Sequence, residues 1–391
     1  MRTIISIAAA LAYCCALAAC SRTAALPPSG AQIQNFGGAD SQDAGRFQSV
    51  YSFKGIPDGE TPNPDLIASK GVLYGTTAAG GSSNLGMLFK MTPSGSVQVI
   101  YNFVGGVASN SPNDGVIEAH GTFYGTTPTA VFAVTGSGKE RILHQFAGGA
   151  DGDSAQGPVA RIKGELFGVT DLGGSLNRCT VGCGTVFKVS PAGSDSVLYK
   201  FQGHHDGLDP TGSVIAVKGA LYGTTSYGGA HNAGTVFKLT ASGNEEILYS
   251  FKGDDDGSHP GGTLFFQGGT LYGAAPYNGT HALGTIFAVT LGGKFTILHE
   301  FAGGADGSHP NGGLMAVKGV LYGTTALGGH AGNGTVFSLT KSGHERILHT
   351  FNGAAEGETP LGGLVEINGS LYGMTFGGGR SNKGTIFKVR L

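Results

Sequence analysis

The chain has 391 residues, of which 72 are glycine and 15 proline; 13% are charged, and the formal net charge is −2. So much glycine excludes a mostly helical protein, the lack of a Gly-X-Y register excludes collagen, and 40% hydrophobic residues argue against disorder. Sparse, balanced charge leaves no basic surface for nucleic acid.

Met1 and Arg2 precede an apolar run from Ile4 to Ala19, the layout of an export signal and too short to span a bilayer comfortably. The run ends Leu17-Ala18-Ala19-Cys20, which resembles the bacterial lipobox. On that resemblance residues 1–19 are a lipoprotein signal peptide, and Cys20 is the acylated first residue of the mature chain, its acyl chains anchoring the protein in a membrane. An ordinary signal peptide cut at an Ala-x-Ala site is the alternative. Ser21 is similar to the outer-membrane sorting pattern, so the expected location is the outer membrane, with the protein facing the periplasm or the cell surface. Residues 20–45 hold Pro27-Pro28 and scattered Ala, Gly, Ser and Gln without sustained alternation, and read as a flexible tether.

The remaining residues, 46–391, repeat one unit. Its anchor aromatics are Tyr74, Tyr124, Phe167, Tyr222, Tyr272, Tyr322 and Tyr372, spaced by 50 except for 43 after Tyr124 and 55 after Phe167. Both exceptions fall in the same loop, shortened after Tyr124 and lengthened between Gly174 and Gly184. One unit reads as an antiparallel four-stranded meander. Its first strand is Leu314 to Val317, followed by the turn Lys318-Gly319, then a second strand from Val320 to Thr325 and a loop from Gly328 to Asn333. The third is Thr335 to Thr340, the turn Ser342-Gly343, and the fourth Arg346 to Phe351; an Asp306-Gly307-Ser308-His309-Pro310 segment or its equivalent links units. Four short strands cannot stand alone, so the units bury their faces on one another. The expected fold is all-β, a seven-bladed β-propeller of roughly 50-residue four-stranded repeats.

The chain ends predict how the ring closes. The last unit stops after its third strand, Thr385 to Val389, and the matching fourth-strand pattern, Phe47 to Phe53, stands at the other end of the repeats. The N-terminal strand therefore completes the last blade and removes a sheet edge that an open solenoid would leave exposed.

The succession LYGTT, GG, GTVF and ILHxF, with a DGxxPxGG loop, resembles the GloVer tandem repeat of bacterial "choice-of-anchor" surface proteins over Phe47 to Leu391. Phe167-Gly168-Val169-Thr170 and the short loop after Tyr124 depart from the pattern. The resemblance implies export with a variable anchoring device and brings no activity with it. Kelch repeats are more distantly similar, but a kelch unit usually carries tryptophan and this chain has none.

Aromatics in register read as blade packing; a sugar-stacking ring belongs off-register. His144, His299 and His349 take the fourth-strand position held by Tyr51, Tyr101, Tyr199 and Tyr249 elsewhere, which argues against catalysis there. The loop histidines are more open. His231, His281 and His330 lie between second and third strands, while His204, His205, His259 and His309 lie between blades, and both loop types emerge on one face. Together with Asp206, Asp256, Asp306 and Arg380 they mark the candidate binding face. No catalytic residue and no obligatory cofactor is assigned. Asp254, Asp256 and Asp306 are candidates for calcium, against the alternative that Asp-Gly pairs simply make turns. Cys179 and Cys183 bracket three residues inside the loop insertion and are expected to form a disulfide in an oxidising compartment.

The first functional reading is an envelope-anchored binding module whose long-loop face takes a glycan or protein ligand. The second is a propeller hydrolase or lyase acting on an envelope or extracellular polysaccharide, which would break the repeat symmetry around the channel mouth. A structural or adhesive surface protein is the third.

Overall fold

In the computed structural model, which describes residues 46–106, 111–176 and 178–391, the short turns of the repeat become hairpins. Lys318 and Gly319 take φ of 50° and 86°, the two left-handed residues of a type I′ turn, whose twist matches that of the strands it joins. Alternating apolar residues then bury both faces of each sheet against neighbouring sheets. Seven antiparallel sheets result, one per repeat, numbered here as blades 1 to 7 by their anchors from Tyr74 to Tyr372.

The seventh sheet joins the two ends of the chain. Phe47–Ser52 pairs antiparallel with Thr385–Arg390, with Phe47 opposite Val389 and Ser52 opposite Thr385. The innermost strand of blade 7, Val365–Ile367, lies beside that of blade 1, Ile67–Ser69. The ring is therefore closed as the repeat count requires.

One stretch differs from the sequence reading. Part of the connection between blades re-enters the sheet: Gly59–Pro62 and Ser308–Pro310 pair with the second strands of their blades, and Asp153–Ile162 and Gly261–Gln267 run on continuously as first strands. The second strands are long enough to offer backbone partners there, and unpaired groups on this innermost path would otherwise be orphaned.

Packing between blades follows from the seven second-strand glycines. A Cβ at Gly75, Gly125, Gly168, Gly223, Gly273, Gly323 or Gly373 would sit 2.4–2.8 Å from the Cζ of the third-strand phenylalanine beside it. That phenylalanine also meets, edge to face, the phenylalanine that ends the fourth strand of the preceding blade. Phe103–Phe132, Phe146–Phe187, Phe201–Phe237, Phe251–Phe287, Phe301–Phe337 and Phe351–Phe387 have centroids 5.0–5.5 Å apart. Phe53–Phe89, at 5.6 Å, makes the same contact across the closure. No helix among the described residues is long and apolar enough to cross a membrane.

Candidate functional site

The interblade carboxylates serve the scaffold first. Seven residues after every fourth-strand tyrosine or histidine except Tyr101, an acidic side chain turns back to meet it; Tyr101 donates instead to Glu140 of the next blade, at 2.7 Å. Tyr51, Tyr199 and Tyr249 donate to Asp58, Asp206 and Asp256 at 2.9, 2.9 and 2.7 Å. His299 Nε2 lies 3.0 Å from Asp306, and His144 Nε2 3.2 Å from Asp151. The same carboxylates accept main-chain amides at the loop entrance, from Gln202, Lys252 and Ala302 for Asp206, Asp256 and Asp306. Burial first, and then the facing aspartate, push the phenols of Tyr51, Tyr199 and Tyr249 up. Asp256 is buried with both oxygens engaged, and Asp306 gives one oxygen to His299 and the other to Ala302. Asp254 is exposed. Among the described residues, the one group of three acidic or imidazole side chains close enough to share an ion is His144, Asp151 and Asp195.

Small residues pinch the axis. A Cβ at Gly212 would come within 2.3 Å of the Gly262 carbonyl oxygen, one at Gly312 within 2.3 Å of that of Gly362, and one at Gly115 within 2.6 Å of that of Asp65. The innermost strands therefore close in a collar. Asp65 breaks its uniformity: its carboxylate accepts the Gly363 amide at 3.1 Å and lies 3.5 Å from Thr263 Oγ1 of blade 5. Burial pushes the carboxyls of Asp65 and Asp114 up, and the charge of Asp65 adds to the shift of Asp114.

Above the collar, on the long-loop side, six side chains from blades 3 to 6 form an arc. Asp209, His259 and His309 occupy equivalent places on the innermost path, with φ of 58°, 55° and 55°, a left-handed conformation that non-glycine residues seldom adopt. Tyr227 and Tyr277 alternate with the histidines. Centroids are 4.5 Å apart for Tyr227–His259, 5.6 Å for His259–Tyr277 and 5.5 Å for Tyr277–His309, with ring planes nearly perpendicular. Tyr227 is 39% exposed. At the other end of the arc, Gln156 donates to Asp171 Oδ2 at 3.1 Å, while Asp171 Oδ1 is buried without a partner. Burial, then the charge of Asp209, push Asp171 up to about 7, and burial pushes Asp209 up to about 6. Burial holds both histidines below the usual imidazole range, so they are neutral at pH 7.

The structure thus divides the residues singled out from the sequence. His259 and His309 join the arc, and Asp206, Asp256 and Asp306 tie loops to strands. His231, His281 and His330 are exposed at the tips of their loops. Arg380 is exposed and lines a groove along the closing strand with Lys54 and Glu356, none of which belongs to the arc. Cys179 and Cys183 are disulfide-bonded, with Cα atoms 5.3 Å apart. Cys20 lies outside the described residues. Asp171, Tyr227 and Tyr277 were not singled out from the sequence, although the two tyrosines stand outside every blade-packing register and could have been found by subtraction.

Against known proteins, the profile of the Gloeobacter/Verrucomicrobia repeat matches residues 128–267 and 248–391. The chain belongs to that repeat family. Residues 47–127, which lie outside those two matches, form blades with the same anchors at Tyr74 and Tyr124. No curated protein matches the chain. Solved structures share the architecture at low identity. The extracellular domain of a B. thetaiotaomicron hybrid two-component system matches with a TM-score of 0.56 and 11% identity, over 86% of this chain and 39% of that one. PorZ, a bacterial surface component of the type-IX secretion system of Porphyromonas gingivalis, gives 0.52 and 14%, over 87% and 48%. A puromycin hydrolase gives 0.52 and 13%, over 81% and 50%. The chain spans half or less of each of these proteins, and the likeness is one of fold.

Asp171 offers a test of the arc's electrostatics. A carboxyl raised by the fold contributes its full stability below the ordinary carboxylate range near pH 4 and loses it as pH rises through about 7. Asp171→Asn should therefore raise the melting temperature at pH 8.5 and leave it nearly unchanged at pH 4.5. Thermal unfolding at the two pH values checks this; an equal shift at both would mean that the carboxylate is not raised.

Proposed function

We propose that this protein is an exported, outer-membrane-anchored lipoprotein whose propeller binds a glycan through its long-loop face. The observation that carries the reading is the arc of Tyr227, His259, Tyr277 and His309 beside Asp171 and Asp209, set at the channel mouth and confined to blades 3 to 6. Tyrosine rings offer flat apolar area to the C–H face of a sugar, while carboxyl and imidazole groups accept or donate to its hydroxyls. Loops on a rigid scaffold are the usual place for such groups, and the opposite face has only tight turns such as Lys318-Gly319.

A glycan array probed with the detergent-solubilised full chain tests the reading. Tyr227→Ala should weaken the selected glycan at least tenfold without lowering the melting temperature, because the side chain is partly exposed and off-register. Unchanged affinity would overturn it. A hydrolase or lyase is the second reading, favoured by an Asp171 raised to about 7 beside Asp209, with two neutral histidines farther along the same arc. Shortening of the bound glycan, abolished by Asp171→Asn, would select it.

Anchoring rests on Cys20 and the apolar run before it. Cys20→Ala should abolish incorporation of labelled palmitate and release the protein from the membrane fraction; full labelling of the variant would contradict lipidation at Cys20.

A further inference from the structure

The loop insertion of blade 3 has no equivalent in the other six repeats, so the scaffold does not need it. What it builds lies at the seam with blade 4. The Cys179–Cys183 bridge packs over Gly203, where a Cβ would sit 3.1 and 3.2 Å from the two sulfurs and 3.7 Å from Arg178 Cβ. Arg178, next to the bridge, is thereby held above the interblade loop. A cavity of about 490 Å3 opens there, lined by Arg178, His204 and His231 together with Leu208, Gly229 and Ala230. No carboxylate among the described residues lines it, although acidic residues crowd the neighbouring loops. One guanidinium and two imidazoles, with no carboxylate of the described residues in the lining, make a receptor for an external anion.

The cavity also adjoins the arc. Leu208 in its wall is the backbone partner of Tyr227, whose carbonyl oxygen accepts the Leu208 amide at 3.0 Å, and Asp209 follows Leu208 in the chain. A sugar stacked on Tyr227 would have a neighbouring substituent over the cavity. We propose that the stapled loop makes this face selective for acidic saccharides, with a sugar-borne anion, carboxylate or phosphate, seated on Arg178, His204 and His231. The inference rests on the glycan-binding reading above and adds the class of glycan. The bridge's part is to position Arg178; the arginine fork supplies the directed hydrogen bonds.

Calorimetric titration of the detergent-solubilised full chain with three tetrasaccharide probes tests it: a galacturonate, the neutral galactose counterpart, and a phosphorylated mannose oligomer. At least one charged probe should bind tenfold or more tighter than the neutral one, and the tighter of the two identifies the anion. Arg178→Gln should erase that preference while leaving affinity for the neutral probe intact, and Lys163→Gln, on the opposite face, should change neither. Equal affinity for charged and neutral probes, or a preference that survives Arg178→Gln, would overturn the proposal. Tyr227→Ala separates the two ideas. Weaker binding of every probe without a charge preference sinks only the acidic class, whereas unchanged binding of every probe sinks the glycan reading itself.

Discussion

Everything in this fold depends on one contact repeated between blades: the edge of a phenylalanine from a third strand against the ring that ends the preceding fourth strand. Each such pair is buried and gains about 0.5–1.5 kcal/mol beyond the area it removes from water. The contact needs a glycine on the neighbouring second strand, since any Cβ there would occupy the space of the third-strand ring. Seven glycines and fourteen phenylalanines thus specify the stacking of seven sheets, each too small to persist alone. Because the set is complete only when Phe53 meets Phe89, the ring and the fate of the chain's N-terminal strand are one constraint.

Repetition then determines where function can lie. On the outer strands, all the tyrosines and histidines but Tyr101 meet the loop carboxylates, so most of the acidic charge on the long-loop face is already spoken for by hydroxyls, imidazoles and amides. At the axis, close approach of backbones leaves little room for side chains. The mouth between these two regions is where positions vary freely: the place of His259 and His309 is taken by Asp209 in blade 4, Thr61 in blade 1 and Thr359 in blade 7. Variation there costs the scaffold little, and the chain has used it to gather rings and carboxyls over consecutive blades.

The repeat, the blade count and the closing strand were legible because each rests on a residue type at a fixed interval: Tyr-Gly, Phe, and a missing fourth strand supplied by Phe47 to Phe53. The site was legible only in part. Loop histidines are visible in a sequence, but nothing in the spacing separates His259, which packs between two tyrosines, from His281, which is exposed. Asp256 drew notice as an acidic loop residue, yet its oxygens are consumed by Tyr249, Lys252 and Gly253, a pairing fixed by the bend of the loop and not by any local motif. Asp171 escaped because its environment comes from Gln156 on its own blade and Asp209 on the next. Contacts across a seam carry no signature in the order of residues.

The central claim, that identical aromatic contacts close the ring through the N-terminal strand, is tested most directly by two double-mutant cycles in thermal or denaturant unfolding. One removes Phe53 and Phe89, the other Phe251 and Phe287, each singly and together, and the coupling energies are compared. The account predicts favourable coupling of similar size in both cycles, about 0.5–1.5 kcal/mol. Coupling at Phe251 and Phe287 with none at Phe53 and Phe89 would contradict it.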